Sequence, residues 1–261
     1  MAFTYVWNKR NLYRQKITLF GLLALLLLGA NTAAVAQKKI KGENKPGYDE
    51  KRVHYGFYLA LPLTRYNLQH SQWYADQLAN ADATGEGYIT ANTKTNIGLY
   101  TGLVLNVRMA EYLDLRFVPG VGFYGRPIVF TNTQAEDVED VQTISSTMVE
   151  LPLLLKYKAK RRGNFRMYFV GGLKPGIDLG NRKNNPELPD EQLLQVNKFD
   201  LAVEYGVGLD IFYPYFKFAP ELRFSQGLLN MHQPLNDDAQ KYSKSIDRLT
   251  NRNISLILFF E

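Results

Sequence analysis

The chain has 261 residues, with 31 basic and 25 acidic side chains and no cysteine. The absence of cysteine excludes disulfide frameworks and cysteine-based zinc sites. A mean hydropathy of −0.26 excludes a bundle of membrane helices. The formal net charge of +6 owes much to the start of the chain.

The first 36 residues have the pattern of a secretory signal peptide. An apolar run over residues 17–28 precedes small residues that end in Ala-Val-Ala at 34–36, and this A-x-A ending is a usual cleavage pattern. The basic stretch before the run contains Lys9, Arg10, Arg14 and Lys16. The alternative is an uncleaved anchor over 17–36. Cleavage would leave an exported chain with a net charge of +2, which does not indicate nucleic-acid binding.

Residues 37–52 are polar and include glycine and proline. This composition predicts a disordered lead-in on the periplasmic side.

From residue 53 onward, apolar and polar residues alternate in eight segments, as is typical of β-strands. The segments span about residues 53–63, 95–109, 112–124, 144–158, 164–178, 197–212, 215–225 and 250–260. A soluble barrel would bury the apolar face, and a membrane barrel would turn it towards lipid. About 42 large apolar side chains lie on that face, whereas the interior of a small barrel holds about a dozen. We therefore predict an all-β fold over residues 53–261, an eight-stranded antiparallel transmembrane barrel whose apolar face contacts outer-membrane lipid.

The connections between the predicted strands alternate between long and short. The short ones are at 110–111, 159–163 and 213–214. This alternation is typical of Gram-negative outer-membrane barrels with long outer loops and short periplasmic turns, and it predicts that both termini are periplasmic. Aromatic residues beside the short turns predict an interfacial girdle of Tyr112, Tyr157, Phe165, Tyr213 and Tyr215.

Four prolines fall inside the predicted strands, where each removes a backbone donor. We expect bulges or broken pairing at Pro119, Pro152, Pro175 and Pro220.

The polar face of the strands carries charges of both signs. We predict a lumen charge network of Asp114, Arg116, Glu150, Lys156, Arg166, Lys174, Asp200, Glu204, Asp210, Lys217, Glu221, Arg223 and Arg252. Such a network can form a selective pore, a proton site or a plug of paired charges. The interior of an eight-stranded barrel is filled by side chains, which favours the plug.

The sequence predicts neither an enzyme nor a cofactor or metal site. Of the three histidines, His54 lies on the polar face, His70 is beside Ser71, and His232 precedes an acidic pair at 237–238. Nothing in this spacing brings together the nucleophile, base and orienting carboxylate of a triad. An acidic run at 136–140 lacks the ligand spacing and the glycine of a dedicated calcium loop, which favours a solvated loop.

A basic turn between the fourth and fifth predicted strands contains Lys160, Arg161 and Arg162. We predict that these residues dock a periplasmic or membrane partner. The alternative is that they only contact anionic lipid headgroups.

Residues 148–178 (MVELPLLLKYKAKRRGNFRMYFVGGLKPGID) and 215–231 (YFKFAPELRFSQGLLNM) resemble the PorT family of outer-membrane barrels. The resemblance implies an accessory component of the type IX secretion system, needed for export of proteins with C-terminal sorting domains. It does not imply that the barrel is the conduit, and it carries over no catalytic residue. Other secretion components would then be its partners. The alternative is a stand-alone surface barrel, an adhesin or envelope-protecting protein, that acts through its long loops.

Overall fold

A computed structural model of the protein describes residues 43–84, 89–132, 139–180, 195–233 and 241–261. The predicted signal peptide and residues 37–42 of the lead-in lie outside these ranges. The strands are β1 Val53–His70, β2 Ile89–Thr93, β3 Asn96–Ile97, β4 Leu99–Arg108, β5 Leu113–Phe117, β6 Gly120–Asn132, β7 Glu139–Glu150, β8 Leu153–Lys158, β9 Phe165–Asp178, β10 Gln195–Val196, β11 Phe199–Phe212, β12 Lys217–Gly227, β13 His232–Gln233 and β14 Ile246–Phe260. The helices are a 3₁₀ turn at Tyr48–Glu50, α1 at Gln72–Thr84 and α2 at Lys241–Lys244.

Eight of these strands close into a ring. The order around the ring is β1-β4-β5-β8-β9-β11-β12-β14, and β14 pairs back with β1, with every pair antiparallel. Three predicted strands are each divided in two, into β3 and β4, β5 and β6, and β7 and β8. The predicted eight-stranded antiparallel barrel is confirmed.

The two ends of the barrel differ. We call the end with the short connections at 109–112, 159–164 and 213–216 the turn end, and the opposite end the loop end. Glu261 lies at the turn end, where its backbone pairs with that of Lys217. Towards the loop end, β1, β6, β7 and β14 continue past their predicted limits. These extensions pair with one another, β1 with β14 and β6 with β7, and form a two-part collar above the closed ring.

Two prolines, Pro119 and Pro152, interrupt the ladder without shifting it. Pro119 separates β5 from β6, yet Leu105 pairs with Phe117 and Gly102 with Gly120 in one constant register. Each proline keeps its carbonyl bond but lacks the returning N–H. The local effect is a missing hydrogen bond rather than a bulge.

Pro152 interrupts its strand in the same way as Pro119, whereas Pro175 and Pro220 lie inside continuous strands. Pro152 lies between β7 and β8, and its carbonyl accepts the Val118 N–H at 3.0 Å. Pro175 pairs with Leu201 inside β9, and Pro220 pairs with Leu258 inside β12. The expectation of bulges or broken strands at Pro175 and Pro220 was wrong, because both strands continue through them.

The apolar face of each strand points outwards. On β1, Tyr55, Phe57 and Leu61 each expose more than half of their surface. The aromatic residues predicted for the girdle, Tyr112, Tyr157, Phe165, Tyr213 and Tyr215, are all exposed. None of the helices in the described segments is long and apolar enough to cross a membrane.

Inside the barrel, apolar side chains form two clusters. A central cluster includes Tyr58, Tyr100, Tyr168 and Phe259. A loop-end cluster consists of Tyr66, Ala91, Ile128, Phe130, Val196, Met231, Ile246 and Leu249. Charged side chains also fill the lumen, and they are the candidate functional site.

Candidate functional site

Among the residues that the structure describes, the lumen buries sixteen charged side chains, eight of each sign. The acidic ones are Asp114, Glu150, Asp178, Asp200, Glu204, Asp210, Glu221 and Glu261, and the basic ones are Arg116, Arg126, Lys156, Lys158, Arg166, Lys174, Lys217 and Arg223. The charges of these sixteen side chains balance, as expected where so many charges are buried together.

The structure places every predicted member of the lumen network inside the barrel except Arg252. Arg252 is exposed on the outer face of β14, while its neighbours Asn251 and Asn253 are buried. Successive residues of a strand point to opposite faces, so Arg252 cannot share the face of Asn253.

The predicted network omitted four of these buried residues, Arg126, Lys158, Asp178 and Glu261. Lys158 and Asp178 are the last residues of β8 and β9 and share the parity of Lys156 and Lys174. Arg126 lies beyond the predicted limit of its strand, although it has the same parity as Arg116 and would have been found by extending the alternation. Glu261 follows the last strand by one residue and has the same parity as the buried Asn253 and Phe259, so the same extension of the alternation would have found it.

Asp210 on β11 is the first centre of the network. It accepts bonds from Lys156 at 2.7 Å and from Arg166 Nη2 at 2.9 Å, and Lys217 lies 3.6 Å away. Its three cationic partners come from β8, β9 and β12. One carboxylate therefore links four strands of the ring.

Glu261 is the second centre. Its carboxylate accepts bonds from Lys217 at 2.7 Å, from Asn106 Nδ2 at 2.6 Å and from Arg116 Nη2 at 3.3 Å. The hydroxyl of Tyr48 adds a fourth bond at 3.1 Å. Glu261 thereby connects β4, β5, β12 and the lead-in.

From Arg116 the ion pairs continue up the lumen without a gap. Arg116 binds Glu221 at 2.8 Å, and Glu221 in turn accepts a bond from Arg223 at 2.5 Å. We call the continuous series the ion-pair chain, and from the turn end upwards its members are Asp49, Arg166, Asp210, Lys156, Lys217, Glu261, Arg116, Glu221, Arg223, Glu204, Lys174 and Glu150.

Aromatic rings pack against the ion-pair chain. The guanidinium of Arg116 lies 4.5 Å from the ring centroid of Phe259, and Lys156 Nζ lies 3.7 Å from that of Tyr168. The hydroxyl of Tyr168 also donates to Glu221 at 2.9 Å. Rings and paired charges together fill the lumen and hold its cations in place.

Residues 43–52 of the predicted lead-in contact the turn end of the barrel. The ring of Tyr48 stacks on His54 with centroids 4.0 Å apart, and Asp49 binds Arg166 at 2.6 Å. Tyr48 fills part of the turn-end mouth and so gains buried apolar contact that composition alone does not reveal.

The carboxylate of Asp49 is charged at neutral pH. Its partial burial works to raise the pKa, but the hydrogen bond and the positive charge of Arg166 outweigh that effect, so the pKa of Asp49 lies below its ordinary value.

The structure divides the three residues predicted to dock a partner. Lys160 and Arg162 are exposed. Arg161 instead donates from Nε to the carbonyl of Gly163 at 2.8 Å, and its guanidinium stacks over Phe212 at 3.8 Å. It also donates to the backbone carbonyl of Asn44, so Arg161 fastens the lead-in to the barrel.

The histidines occupy separate places. His54 Nε2 lies 2.8 Å from the Tyr48 carbonyl and His70 Nε2 lies 3.1 Å from the Ala91 carbonyl. His232 forms a buried pair with Ser243, 3.0 Å between Nε2 and Oγ, and the acidic pair at 237–238 lies outside the described residues. Within the segments that the structure describes, no group of three or more His, Cys, Asp or Glu side chains is arranged to hold a metal ion.

Comparison with known proteins agrees with this architecture. The family model described as "Outer membrane protein beta-barrel domain" matches residues 35–233. The chain belongs to this family. As an outer-membrane barrel it is placed in the outer membrane, with its exposed apolar belt in contact with lipid.

Two solved structures of outer-membrane or surface proteins are similar to this chain at low identity. The outer membrane protein OprG from Pseudomonas aeruginosa has 10% identity and a TM-score of 0.41, over 78% of this chain and 94% of OprG. Neisserial surface protein A (NspA) has 11% identity and a TM-score of 0.35, over 80% of this chain and 98% of NspA. No curated protein matches the chain.

Proposed function

We propose that this barrel is an accessory outer-membrane component of the type IX secretion system. In this role it supports export of proteins with C-terminal sorting domains and does not itself conduct them. The observation that carries the second half of the proposal is the ion-pair chain, because a lumen filled by paired charges and rings has no room for a polypeptide.

The secretion role rests on the resemblance of residues 148–178 and 215–231 to the PorT family. The first of these segments includes the turn between β8 and β9, with its basic residues, and the second includes β12. If the lumen is sealed, the protein must act through a surface, and the turn end offers an ordered one.

We further propose that the turn end faces the periplasm, as short turns do in bacterial barrels. Lys160 and Arg162 are exposed there and are the residues available to a partner, whereas Arg161 is engaged within the protein. The docking hypothesis is therefore narrowed to two side chains. Contact of the same side chains with anionic headgroups is the alternative.

Gene deletion tests the secretion role. We expect a clean deletion to retain cargo proteins with C-terminal sorting domains inside the cell and expect the wild-type gene to restore their secretion. Normal cargo secretion in the deletion strain would contradict the proposal and would favour a stand-alone surface barrel that acts through its loops.

Charge reversal tests the docking surface. We expect Lys160→Glu with Arg162→Glu to leave the barrel folded but to reduce secretion and co-purification of other components. The matched control is Arg65→Glu with Arg252→Glu, because these two arginines are exposed cross-strand neighbours towards the other end of the barrel. If the Lys160 and Arg162 variant secretes cargo at the wild-type level, docking is contradicted and contact with lipid headgroups alone is favoured.

A further inference from the structure

A layer of charged residues lies above the ion-pair chain, towards the loop end. The last pairs of that chain join Lys174 to Glu150 at 3.1 Å and to Glu204 at 3.3 Å. Beyond them lie the buried side chains of Arg126, Asp178 and Asp200. None of these three makes a salt bridge within the described part of the chain. Two carboxylates against one guanidinium leave the layer with an excess negative charge.

Asp200 and Asn251 each have one oxygen atom that no group of the described residues satisfies. Nδ2 of Asn251 donates to Oδ2 of Asp200 at 2.6 Å. The Oδ1 atoms of both residues are buried and have no hydrogen-bond partner, and each residue is only 4% exposed. Leaving buried oxygens unpaired is costly, which points to a ligand with positive charge or a donor proton.

The hydrogen bond between Asp200 and Asn251 reaches across one intervening strand. Asp200 is on β11 and Asn251 is on β14, and β12 separates them. Gly227 of β12 lies against Asn251, where a Cβ atom would come within 2.9 Å of the Asn251 backbone nitrogen. A side chain at position 227 would therefore crowd the backbone of β14 at Asn251.

The one basic residue of the layer is committed elsewhere. The guanidinium of Arg126 stacks against Tyr124 at 4.6 Å and Tyr66 at 5.2 Å, and its Nε donates to Thr64 Oγ1 at 2.8 Å. Its Nη2 atom has no partner. Arg126 therefore does not neutralise Asp200 by direct contact.

We propose that Asp200 and Asn251 bind a calcium ion in the loop-end half of the lumen. Carboxylate and amide oxygens are ligands that Ca²⁺ accepts, and Ca²⁺ tolerates irregular coordination better than Mg²⁺ does. Asp178, on the neighbouring strand β9, is the next carboxylate of the layer and has one oxygen bonded to the Gly180 N–H at 2.8 Å. Water molecules would complete the coordination.

The position of the site predicts slow exchange. The loop-end cluster, which includes Phe130 and Leu249, packs in the same half of the barrel. An ion in this layer would be enclosed between that cluster and the ion-pair chain. We expect calcium to enter during folding and to leave slowly when a chelator is added.

Calcium content of the folded full-length mature protein tests the proposal. The protein is refolded in detergent with Ca²⁺, passed over a chelating resin and analysed for metal by mass spectrometry. We expect about one Ca²⁺ per chain in the wild type and a loss of affinity of at least about tenfold in Asp200→Asn. Asp114→Asn is the matched control, because Asp114 is a buried lumen carboxylate at the turn end that pairs with Lys158.

Each result decides the question. Retention by the wild type and by Asp114→Asn, together with loss in Asp200→Asn, supports the site. No retained calcium in the wild type, or equal retention in Asp200→Asn, overturns it and assigns the unpaired oxygens to buried water. If Asp200→Asn does not fold, Asn251→Ala provides the same comparison. A variant with Glu136→Gln and Asp137→Asn removes calcium bound to the acidic loop from the count.

Discussion

The two halves of the lumen solve the burial of charge in different ways. In the turn-end half, each carboxylate of the ion-pair chain contacts at least one cation, and Asp210 and Glu261 each contact several. In the loop-end half, Asp200 and Asn251 retain unpaired oxygens. Asp114 of the turn-end half also pairs with Lys158 at 2.7 Å, whereas Asp200 makes no salt bridge among the described residues. The turn-end half is therefore a seal of paired charges, and the loop-end layer is not.

The largest expected effect comes from replacing a paired carboxylate in the turn-end half, and the same substitution in the loop-end half provides the comparison. Asp210→Asn leaves Lys156, Arg166 and Lys217 without their shared carboxylate, and we expect a loss of about 3–5 kcal/mol of unfolding free energy. Asp200→Asn, measured in chelator, should cost no more than about 1 kcal/mol because its amide oxygen still accepts from Asn251. Urea unfolding in detergent measures both, and equal losses would show that the halves do not differ.

Much of this contrast between the two halves of the lumen could not be predicted from the sequence. Strict alternation predicted the strands and their outward faces, and it predicted which side chains point inwards wherever the parity was kept. It could not pair Arg116 with Glu221 or Arg223 with Glu204, because those partners are distant in sequence and the strand register that joins them depends on the closed ring. The position of the lead-in likewise depends on contacts of Tyr48 with Phe212 and Glu261, which are distant in sequence.

The wall of the barrel offers a second comparison between adjacent glycines. A Cβ atom on Gly172, which faces the lumen side, would overlap the backbone carbonyl oxygen of Leu153, whereas one on Gly171 would meet nothing closer than 3.9 Å. We expect Gly172→Ala to lose about 1–3 kcal/mol of unfolding free energy through overpacking. Gly171→Ala is the control, and a similar loss there would contradict the close strand contact.

A smaller effect tests whether the Tyr100 hydroxyl replaces the backbone hydrogen bond that Pro152 cannot make. Pro152 cannot donate to the carbonyl of Val118, and the hydroxyl of Tyr100 donates to that carbonyl at 3.3 Å instead. We expect Tyr100→Phe to cost about 1 kcal/mol. In a Pro152→Ala background the restored N–H can take over, so the cost of Tyr100→Phe should fall. A double-mutant cycle without coupling would reject this compensation.

The smallest expected effect concerns the lead-in and pH. The lowered pKa of Asp49 means that its pairing with Arg166 contributes at pH values above the ordinary aspartate pKa and is lost as pH falls through the lowered value. Hydrogen exchange of residues 43–52, corrected for intrinsic rates, should therefore quicken in acid. Asp49→Asn should exchange faster at neutral pH and lose this pH response. If the exchange protection of residues 43–52 in the wild type stays unchanged across the acid range, a role of Asp49 in holding the lead-in is contradicted.

Ion conductance across a planar bilayer directly tests whether the lumen is sealed. The wild-type protein should insert without steady conductance, because the ion-pair chain and the rings around it fill the bore. A variant with Tyr58→Ala, Tyr168→Ala and Phe259→Ala, which empties the central cluster, should conduct measurably and so shows that insertion can be detected. Steady wild-type conductance of the size typical of wide porins would contradict the seal and the proposal that the barrel is not a conduit.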